Sequence, residues 1–217
     1  MTDVPQNAQR WLDQTLAVNA RAGRTPSLLL HACCAPCSSY VLEYLSAHFA
    51  ITVYYYNPNI APEPEYRFRA AELQRLIASM PAAHPVAYLE GAYDPDRFYA
   101  QSRGLEQQPE GGERCFRCYR LRLESTAQAA QAGAFDCFTT TLSISPYKNA
   151  AKLNEIGASL AASYGVPYLF SDFKKRGGYA RSCELSAAYG LYRQDYCGCV
   201  YSQAEAARRR AAKPANE

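Results

Sequence analysis

The sequence predicts an α/β fold, with a single doubly wound, mostly parallel sheet and helices on both of its faces. Short apolar runs typical of buried strands alternate with longer segments of helical periodicity along most of the chain. The 217 residues contain no internal repeat and no low-complexity linker, and a hydrophobic share of 48% is ordinary for a globular domain. We therefore expect an N-terminal helix within 1–25, one α/β domain over 26–212 and a frayed tail at 213–217.

Each element is predicted from periodicity and from turn residues. Trp11, Leu12 and Leu16 lie at near-helical spacing and predict an amphipathic first helix over 6–21. Residues 57–64 contain three prolines, which exclude a helix or a central strand. The predicted strands are 27–32, 51–56, 86–89, 134–140 and 167–170. The later helices are predicted from about 38, over 65–79, from about 94, over 115–132, 148–164 and 182–188, and from about 200.

Hydropathy predicts a cytoplasmic protein with no membrane partner. No stretch approaches the run of about 20 apolar residues that a membrane span needs. Residues 1–6 lack a basic region followed by an apolar one, so they do not resemble a secretory signal. In the cytoplasm, clustered cysteines indicate metal binding or catalysis rather than structural disulfides.

Seven of the nine cysteines lie in three tight clusters. Cys33, Cys34 and Cys37 follow the first predicted strand, at the carboxyl edge where α/β sheets bind ligands and helix N-termini stabilise thiolates. Cys115 and Cys118 form a CxxC pair, whose sulfurs can face one metal from a single helical turn. Together they predict a thiolate-bound zinc or iron–sulfur centre. A purely structural zinc is the alternative, disfavoured because a chain of this length has ample core.

The third cluster, Cys197-Gly198-Cys199, predicts different chemistry. A disulfide across one intervening residue closes a small, strained ring, and strain makes such a bond labile. Gly198 would relieve part of the backbone constraint. The pair is suited to accepting and passing two electrons, while further metal ligands or simple reduced thiols are the alternative interpretations.

Candidate proton donors lie at the end of the second predicted strand and just after it. Tyr55 and Tyr56 end that strand beside the predicted cysteine site, and Glu65 lies just past it. A phenol or carboxyl at this edge of the sheet could donate a proton, and a tyrosine ring could instead stack on a base, although tyrosines at such positions also pack in cores. His31, inside the first strand, either orients a thiolate or is a hydrogen-bonded core residue.

Basic residues are unevenly placed, although the net charge of +3 is modest. Lys174, Lys175 and Arg176 form one cluster with Arg181 close by, and Arg117 lies inside the CxxC pair. They predict either phosphate contacts or an ordinary solvated surface. No GxGxxG or GxxxxGK[ST] motif occurs, so ordinary dinucleotide and ATP phosphate loops are not supported.

The chain resembles the cobalamin-independent epoxyqueuosine reductases, the QueH type, in five motifs that occur in the family's order: LLLHACCAPC, YYYNPNIAPEPEYRFR, CFRC, TTTLSISPYKN and YCGC. The resemblance implies the last step of queuosine synthesis, in which two electrons remove the epoxide oxygen of epoxyqueuosine in tRNA. It implies a fold related to the adenine-nucleotide α-hydrolases. It also implies that the basic residues named above hold the anticodon stem-loop.

The resemblance also implies roles for the cysteines. Cys197 and Cys199 would form a redox-active disulfide, which an external electron donor would reset. Cys37 stands where the family can have an aspartate that binds a second metal. A soft thiolate here replaces a hard oxygen ligand, so the resemblance leaves open whether a second metal, such as an iron ion, binds at Cys37. The implied cofactor is a 4Fe–4S cluster, and its implied ligands are Cys33, Cys34, Cys115 and Cys118.

Two other classes of function remain as alternatives. An iron–sulfur tRNA sulfur-transferase would need ATP and normally has a loop rich in glycine and serine after the first strand, where this chain has CCAPC. A zinc-bound, non-catalytic RNA-binding module would have no use for a strained CGC pair. Both therefore explain fewer of the motifs than the reductase does.

Overall fold

The computed structural model describes residues 4–212, so the predicted frayed tail at 213–217 lies outside the described residues. The protein is α/β, as predicted, with a four-stranded, all-parallel sheet in the order β3-β2-β1-β4. The strands are β1 (Ser27–His31), β2 (Ala50–Tyr55), β3 (Ala87–Glu90) and β4 (Cys137–Thr140). The helices are α1 (Ala8–Arg21), α2 (Ala35–Leu45), α3 (Glu63–Ser79), α4 (Pro95–Ser102), α5 (Glu113–Ala132), α6 (Ala150–Tyr164), α7 (Gly178–Ala188) and α8 (Val200–Ala212), with a 3-10 helix at Thr141–Ile144.

Helices cover both faces of the sheet because the strand side chains alternate. Leu28 and Leu30 of β1 pack in a first core with α2 and α3, whereas Leu29 packs in a second core with α5 and α6. This division follows from the two-residue period of a strand. The predicted amphipathic helix α1 buries Leu12 and Leu16 in the first core.

The prediction of a fifth strand over 167–170 is wrong. In the described chain this segment pairs with β4 only through a single parallel bridge, between Tyr168 and Phe138. The Phe138 N–H donates to the Pro167 carbonyl at 3.0 Å, and its carbonyl accepts from the Leu169 N–H at 2.9 Å. The Leu169 carbonyl then accepts from the Thr139 hydroxyl at 2.8 Å. A side chain thus takes the place of the next backbone partner, and the ladder ends.

Helix α2 begins at Ala35, earlier than the predicted start near Ser38. Pro36 fits in its first turn, where a residue without an N–H costs nothing. Cys34 is therefore the N-cap of the helix, and Cys37 lies in its first turn. Other boundaries shift as well, among them the start of β4 to Cys137 from 134 and the start of α7 to Gly178 from 182. The exclusion of a helix from 57–64 is wrong for its last two residues, because α3 begins at Glu63 and Pro64 fits in its first turn.

The carboxyl ends of the parallel strands lie at one edge of the sheet. Cys33 and Cys34 follow β1 at this edge, and the Thr141–Ile144 turn follows β4 beside them. The predicted cysteine position and the topology therefore agree. No described helix combines the length and apolarity that a membrane crossing requires.

Candidate metal and redox site

Three thiols meet at the carboxyl edge of β1. Cys33 lies between β1 and α2, Cys34 caps α2, and Cys37 follows one turn later. The three sulfur atoms lie within 4.8 Å of one another, and those of Cys33 and Cys34 are 3.8 Å apart. The Thr141 hydroxyl is 3.7 Å from the Cys33 sulfur. This spacing lets the three sulfurs bind one metal centre.

The three thiols of this group differ in pKa. Hydrogen bonds from Cys33 and Cys37 hold the pKa of Cys34 well below its usual value, and the nearby Arg69 cation lowers it further. Hydrogen bonding within the group raises the pKa of Cys33 to about 11 and also raises the pKa of Cys37. Cys34 is therefore the thiol of the group that loses its proton most readily, and thiolates are the form of cysteine that ligates metals.

Cys115 and Cys118 lie one turn apart at the start of α5 and belong to a second group. They line a small cavity together with Cys197 and Cys199. The Gly111 N–H donates to the Cys115 sulfur at 3.3 Å. Burial raises the pKa of Cys118 to about 12, so this thiol stays protonated until a metal displaces the proton. The four predicted cluster ligands are thus divided between two neighbouring groups.

Cys197 connects the two groups. It lines the small cavity and also the main cavity, of about 270 Å³, whose lining includes Cys33, Cys34 and Cys37. The thiols of Cys197 and Cys199 are free in this structure, so the predicted disulfide between them stays a prediction. All seven clustered cysteines nevertheless line one or both of these cavities.

The backbone of the CGC loop is held by α3 and by the proline-rich loop before it. Arg69, buried on α3, donates from Nη1 to the Cys197 carbonyl at 3.1 Å. Its guanidinium also lies 5.0 Å from the centre of the Tyr196 ring. The Gly198 carbonyl accepts from the Ala61 N–H at 3.0 Å. These contacts fix where the Cys197 thiol stands.

Arg122 is a fully buried cation close to both cysteine groups. Its Nε donates to the Cys118 carbonyl at 3.3 Å and its Nη1 to Asn57 Oδ1 at 3.5 Å, whereas Nη2 has no hydrogen-bond partner among the described residues. Burial lowers the pKa of Arg122, whereas the thiolate forms of Cys118, Cys197 and Cys33 raise it above its usual value. A buried charge needs a counter-charge, and a thiolate-bound iron–sulfur cluster supplies negative charge. The donor set and this cation therefore fit such a cluster.

Comparison with known proteins identifies the family. The family model described as Epoxyqueuosine reductase QueH matches residues 28–205, which contain all three cysteine clusters. The chain belongs to this family. A curated Epoxyqueuosine reductase QueH from Streptococcus pyogenes serotype M1 is 46% identical over 90% of this chain and 78% of its own length. The proteins of that name from Staphylococcus epidermidis and Thermotoga maritima are 42% and 36% identical, over 90% and 82% of this chain and 84% and 91% of their own lengths.

In this QueH-family protein, the predicted proton donors have other partners. Tyr55 donates to a backbone carbonyl of α3 at 3.1 Å, and the Tyr56 hydroxyl accepts from Arg97 at 3.4 Å. Glu65 pairs with Arg69 at 2.8 Å, so it contacts the CGC loop through that arginine. Neither the main cavity nor the small one is lined by these three residues. Their role as proton donors stays a prediction.

His31 is a hydrogen-bonded core residue. Its Nδ1 accepts from the Thr140 hydroxyl at 2.8 Å, and its Nε2 donates to the Tyr56 carbonyl at 3.1 Å. A carbonyl can only accept, so Nε2 carries the proton. Burial, assisted by the Arg122 cation, lowers the His31 pKa to about 4, and the ring is neutral. Of the two sequence interpretations, the geometry supports the core residue.

The predicted tRNA contacts are mostly paired with acidic residues. Exposed pairs contribute little to stability, so phosphates can compete with the carboxylates paired with Arg176, Arg181 and Arg117; the pair of Lys174 is half-buried. These residues therefore stay candidate phosphate ligands, and none of them lines either cavity of the described chain. The pairs are Lys174 with Asp172 at 2.8 Å, Arg176 with Asp13, Arg181 with Glu43 at 2.7 Å, and Arg117 with Glu113 at 3.6 Å.

Several buried charges around the cavities were missed by the sequence analysis. Lys148 and Glu110 line both cavities and form an ion pair, and Arg69 and Arg122 contact the cysteine segments. Lys148 lies within the quoted motif TTTLSISPYKN and Arg69 ends another, which was the available signal. Sequence spacing does not tell a buried lysine from a solvated one, because burial here depends on partners far along the chain.

Proposed function

We propose that this protein is an epoxyqueuosine reductase that removes the epoxide oxygen of epoxyqueuosine in tRNA and leaves the alkene of queuosine. The observation that carries this proposal is the family match over residues 28–205. The convergence of seven cysteines on two adjoining cavities supports it, because the reaction consumes two electrons and two protons. A relation of the sheet to the adenine-nucleotide α-hydrolases, and a cytoplasmic location, belong to the same proposal.

The proposed cofactor is a 4Fe–4S cluster. When bound, it would pass electrons one at a time. Cys34 offers a ready thiolate, and Arg122 offers an unpartnered N–H and a positive charge close by. Cys37 shares the three-thiol group and is the proposed ligand of a second iron ion. The proposed ligands of the cluster itself are Cys33, Cys34, Cys115 and Cys118.

The CGC pair would supply the electrons for one turnover. Two thiols, at Cys197 and Cys199, become a disulfide and release two electrons and two protons. The epoxide loses both C–O bonds and becomes an alkene, and its oxygen leaves as water with those protons. An external electron donor then reduces the disulfide. The place of Cys197 in both cavities supports this role, because its sulfur stands beside either cysteine group.

The proposed partner is the anticodon stem-loop of tRNA. A modified base must leave the loop stack to enter a 270 Å³ cavity, and a loop makes this less costly than a duplex. Tyr147 and Tyr179 lie at this cavity, each with an exposed ring on which a base can stack. The phosphates are proposed to contact Lys174, Lys175, Arg176, Arg181 and Arg117.

Anaerobic purification and turnover of epoxyqueuosine-tRNA test the proposal. We expect a brown protein with a broad band near ~400 nm and about four irons per chain. Cys199→Ser should keep this iron and lose steady-state turnover, because it removes half of the dithiol. The matched control is Cys183→Ser on α7, a thiol outside both cavities, which should keep iron and turnover.

A contrary result would be a colourless protein that carries stoichiometric zinc even after anaerobic iron reconstitution. Unchanged turnover in a folded Cys199→Ser enzyme would also contradict the dithiol step, while leaving the reductase activity standing.

A further inference from the structure

A buried ion pair lies between the two cavities. Lys148 Nζ is 2.9 Å from Glu110 Oε1, and the two side chains are 6% and 16% exposed. Both residues line the main cavity and the small one, and Cys197 is a third residue that lines both. The pair therefore stands next to the thiol that we propose to be redox-active.

The pair is held by distant parts of the chain. Lys148 lies just after the turn that follows β4, and its N–H donates to the Ser145 carbonyl at 3.1 Å. The Glu110 N–H donates to a Glu205 carboxylate oxygen of α8 at 3.3 Å, and Glu110 Oε2 lies 4.0 Å from Arg209. A long lysine side chain fixed in this way is placed before any substrate arrives.

The Lys148 ammonium has N–H donors that no described side chain accepts. An ammonium carries three N–H donors. Among residues 4–212, Glu110 is the side chain that accepts one of them. Burial would lower the pKa of Lys148, but the partners around it, among them the Glu110 carboxylate at 2.9 Å, hold that pKa well above its usual value, so the group stays charged. A charged donor that lines two cavities is positioned to bind an oxygen there.

Three other candidate donors near the cysteines are committed elsewhere, and Arg122 and Tyr119, which have polar atoms without a partner among the described residues, line the small cavity but not the main one. Tyr55 and His31 are hydrogen-bonded within the core, and Glu65 is paired with Arg69. The epoxide oxygen gains negative charge as its C–O bonds break, and preorganised cationic donors stabilise such charge strongly.

We propose that Lys148 binds the epoxide oxygen of the substrate and stabilises its developing negative charge, with Glu110 as the positioning residue. This rests on the proposed function. The two thiols of the CGC pair still supply both electrons and both protons, and the oxygen still leaves as water. Lys148 is an ammonium before and after the step, so it adds nothing to the proton balance.

The test uses a neutral replacement of the whole pair. Lys148→Gln combined with Glu110→Gln removes both charges together and leaves no unpaired buried carboxylate. The control is Lys152→Gln combined with Glu155→Gln, which removes a neighbouring pair of 2.6 Å that lies outside both cavities. For each protein we would measure thermal unfolding, iron content, affinity for epoxyqueuosine-tRNA, and the single-turnover rate of epoxide loss.

We expect the Lys148/Glu110 double variant to fold, to keep its iron, and to bind the tRNA within about threefold of wild type. Its single-turnover rate should fall by about 10²- to 10³-fold, the usual loss when a donor to a developing oxyanion is removed. Lys148→Arg, which keeps the charge, should restore part of that rate. The Lys152/Glu155 control should match wild type in every measurement.

A folded, iron-loaded Lys148/Glu110 variant with a rate within about threefold of wild type would overturn the inference. So would a rate loss matched by an equal loss of tRNA affinity, because Lys148 would then hold the ground state and not the reacting oxygen. If the double variant does not fold, Lys148→Gln alone decides: a folded, iron-loaded enzyme slowed by the factor expected above supports the inference, and one at full rate overturns it. Absence of epoxide reduction in the wild type is a separate result that contradicts the proposed function.

Discussion

Gly198 has a backbone conformation and a neighbourhood that exclude a side chain. Its φ is +127°, in the region that favours glycine. A Cβ built there would lie 2.8 Å from Ile60 Cγ1 and 3.2 Å from Arg69 Nη1. The glycine between the two cysteines is therefore required by packing as well as by the tight CGC spacing.

We predict that Gly198→Ala lowers the free energy of unfolding by about 1–3 kcal/mol, from backbone strain and crowding. Because Ile60 and Arg69 must shift, the Cys197 thiol should also react more slowly with Cys199. Urea unfolding and the rate of disulfide formation under a fixed oxidant measure the two effects.

The control is Gly23→Ala, at φ +60° with open space around it, where strain acts without crowding. If Gly198→Ala and Gly23→Ala lose the same free energy of unfolding, and the Gly198 variant forms the disulfide as fast as wild type, crowding at the CGC loop has no effect.

At the scale of elements, α6 packs closely on the segment that replaces a fifth strand. Gly157, in the middle of α6, faces the ring of Tyr168, and a Cβ there would lie 2.5 Å from three ring atoms. Glycine normally weakens a helix by about 1 kcal/mol relative to alanine. Here close approach of the helix to Tyr168 outweighs that propensity.

We predict that Gly157→Ala destabilises the protein by about 1–3 kcal/mol, because the overpacking against Tyr168 exceeds the gain in helix propensity. Chemical denaturation measures this difference. Ser159→Ala, at an exposed position of the same helix, is the control and should change the free energy of unfolding by less than about 0.5 kcal/mol. A stabilised Gly157→Ala protein would show that α6 can move away from Tyr168 at no cost.

At the scale of the whole molecule, a carboxylate joins the starts of β1 and β4, which are 109 residues apart in the chain. Asp136 Oδ2 accepts from the Ser27 N–H and from the Ser27 hydroxyl, each at 2.8 Å. These hydrogen bonds lower the pKa of Asp136. A carboxyl whose pKa is depressed by folding stabilises the protein above its unfolded pKa, and this contribution is lost as the pH falls through the folded pKa.

We predict that Asp136→Asn lowers the free energy of unfolding at neutral pH by about 1 kcal/mol, a small value because the carboxylate is exposed. The gap between variant and wild type should begin to close near pH ~4, the unfolded pKa of an aspartate, and should vanish as the pH falls through the lower folded pKa. Denaturant unfolding at several pH values measures it. A gap that stays constant into acid would indicate that the charge of Asp136 has no part in joining the strands.

Sequence alone determined the α/β class, the position of most elements and the place of the cysteines at the end of β1. These features follow from local patterns, because strand and helix periodicities and a strand–CCAPC–helix junction are written in consecutive residues. The five motifs likewise indicated the family that the comparison then showed.

Tertiary structure alone decided which groups face one another. The Leu169 carbonyl turns to the Thr139 side chain and ends the sheet at four strands. Tyr55 packs in a core. Lys148, whose burial no sequence periodicity predicts, lines a cavity together with Cys197. Each outcome depends on hydrogen bonds and burial between residues far apart in the chain, and local sequence carries no record of such partners.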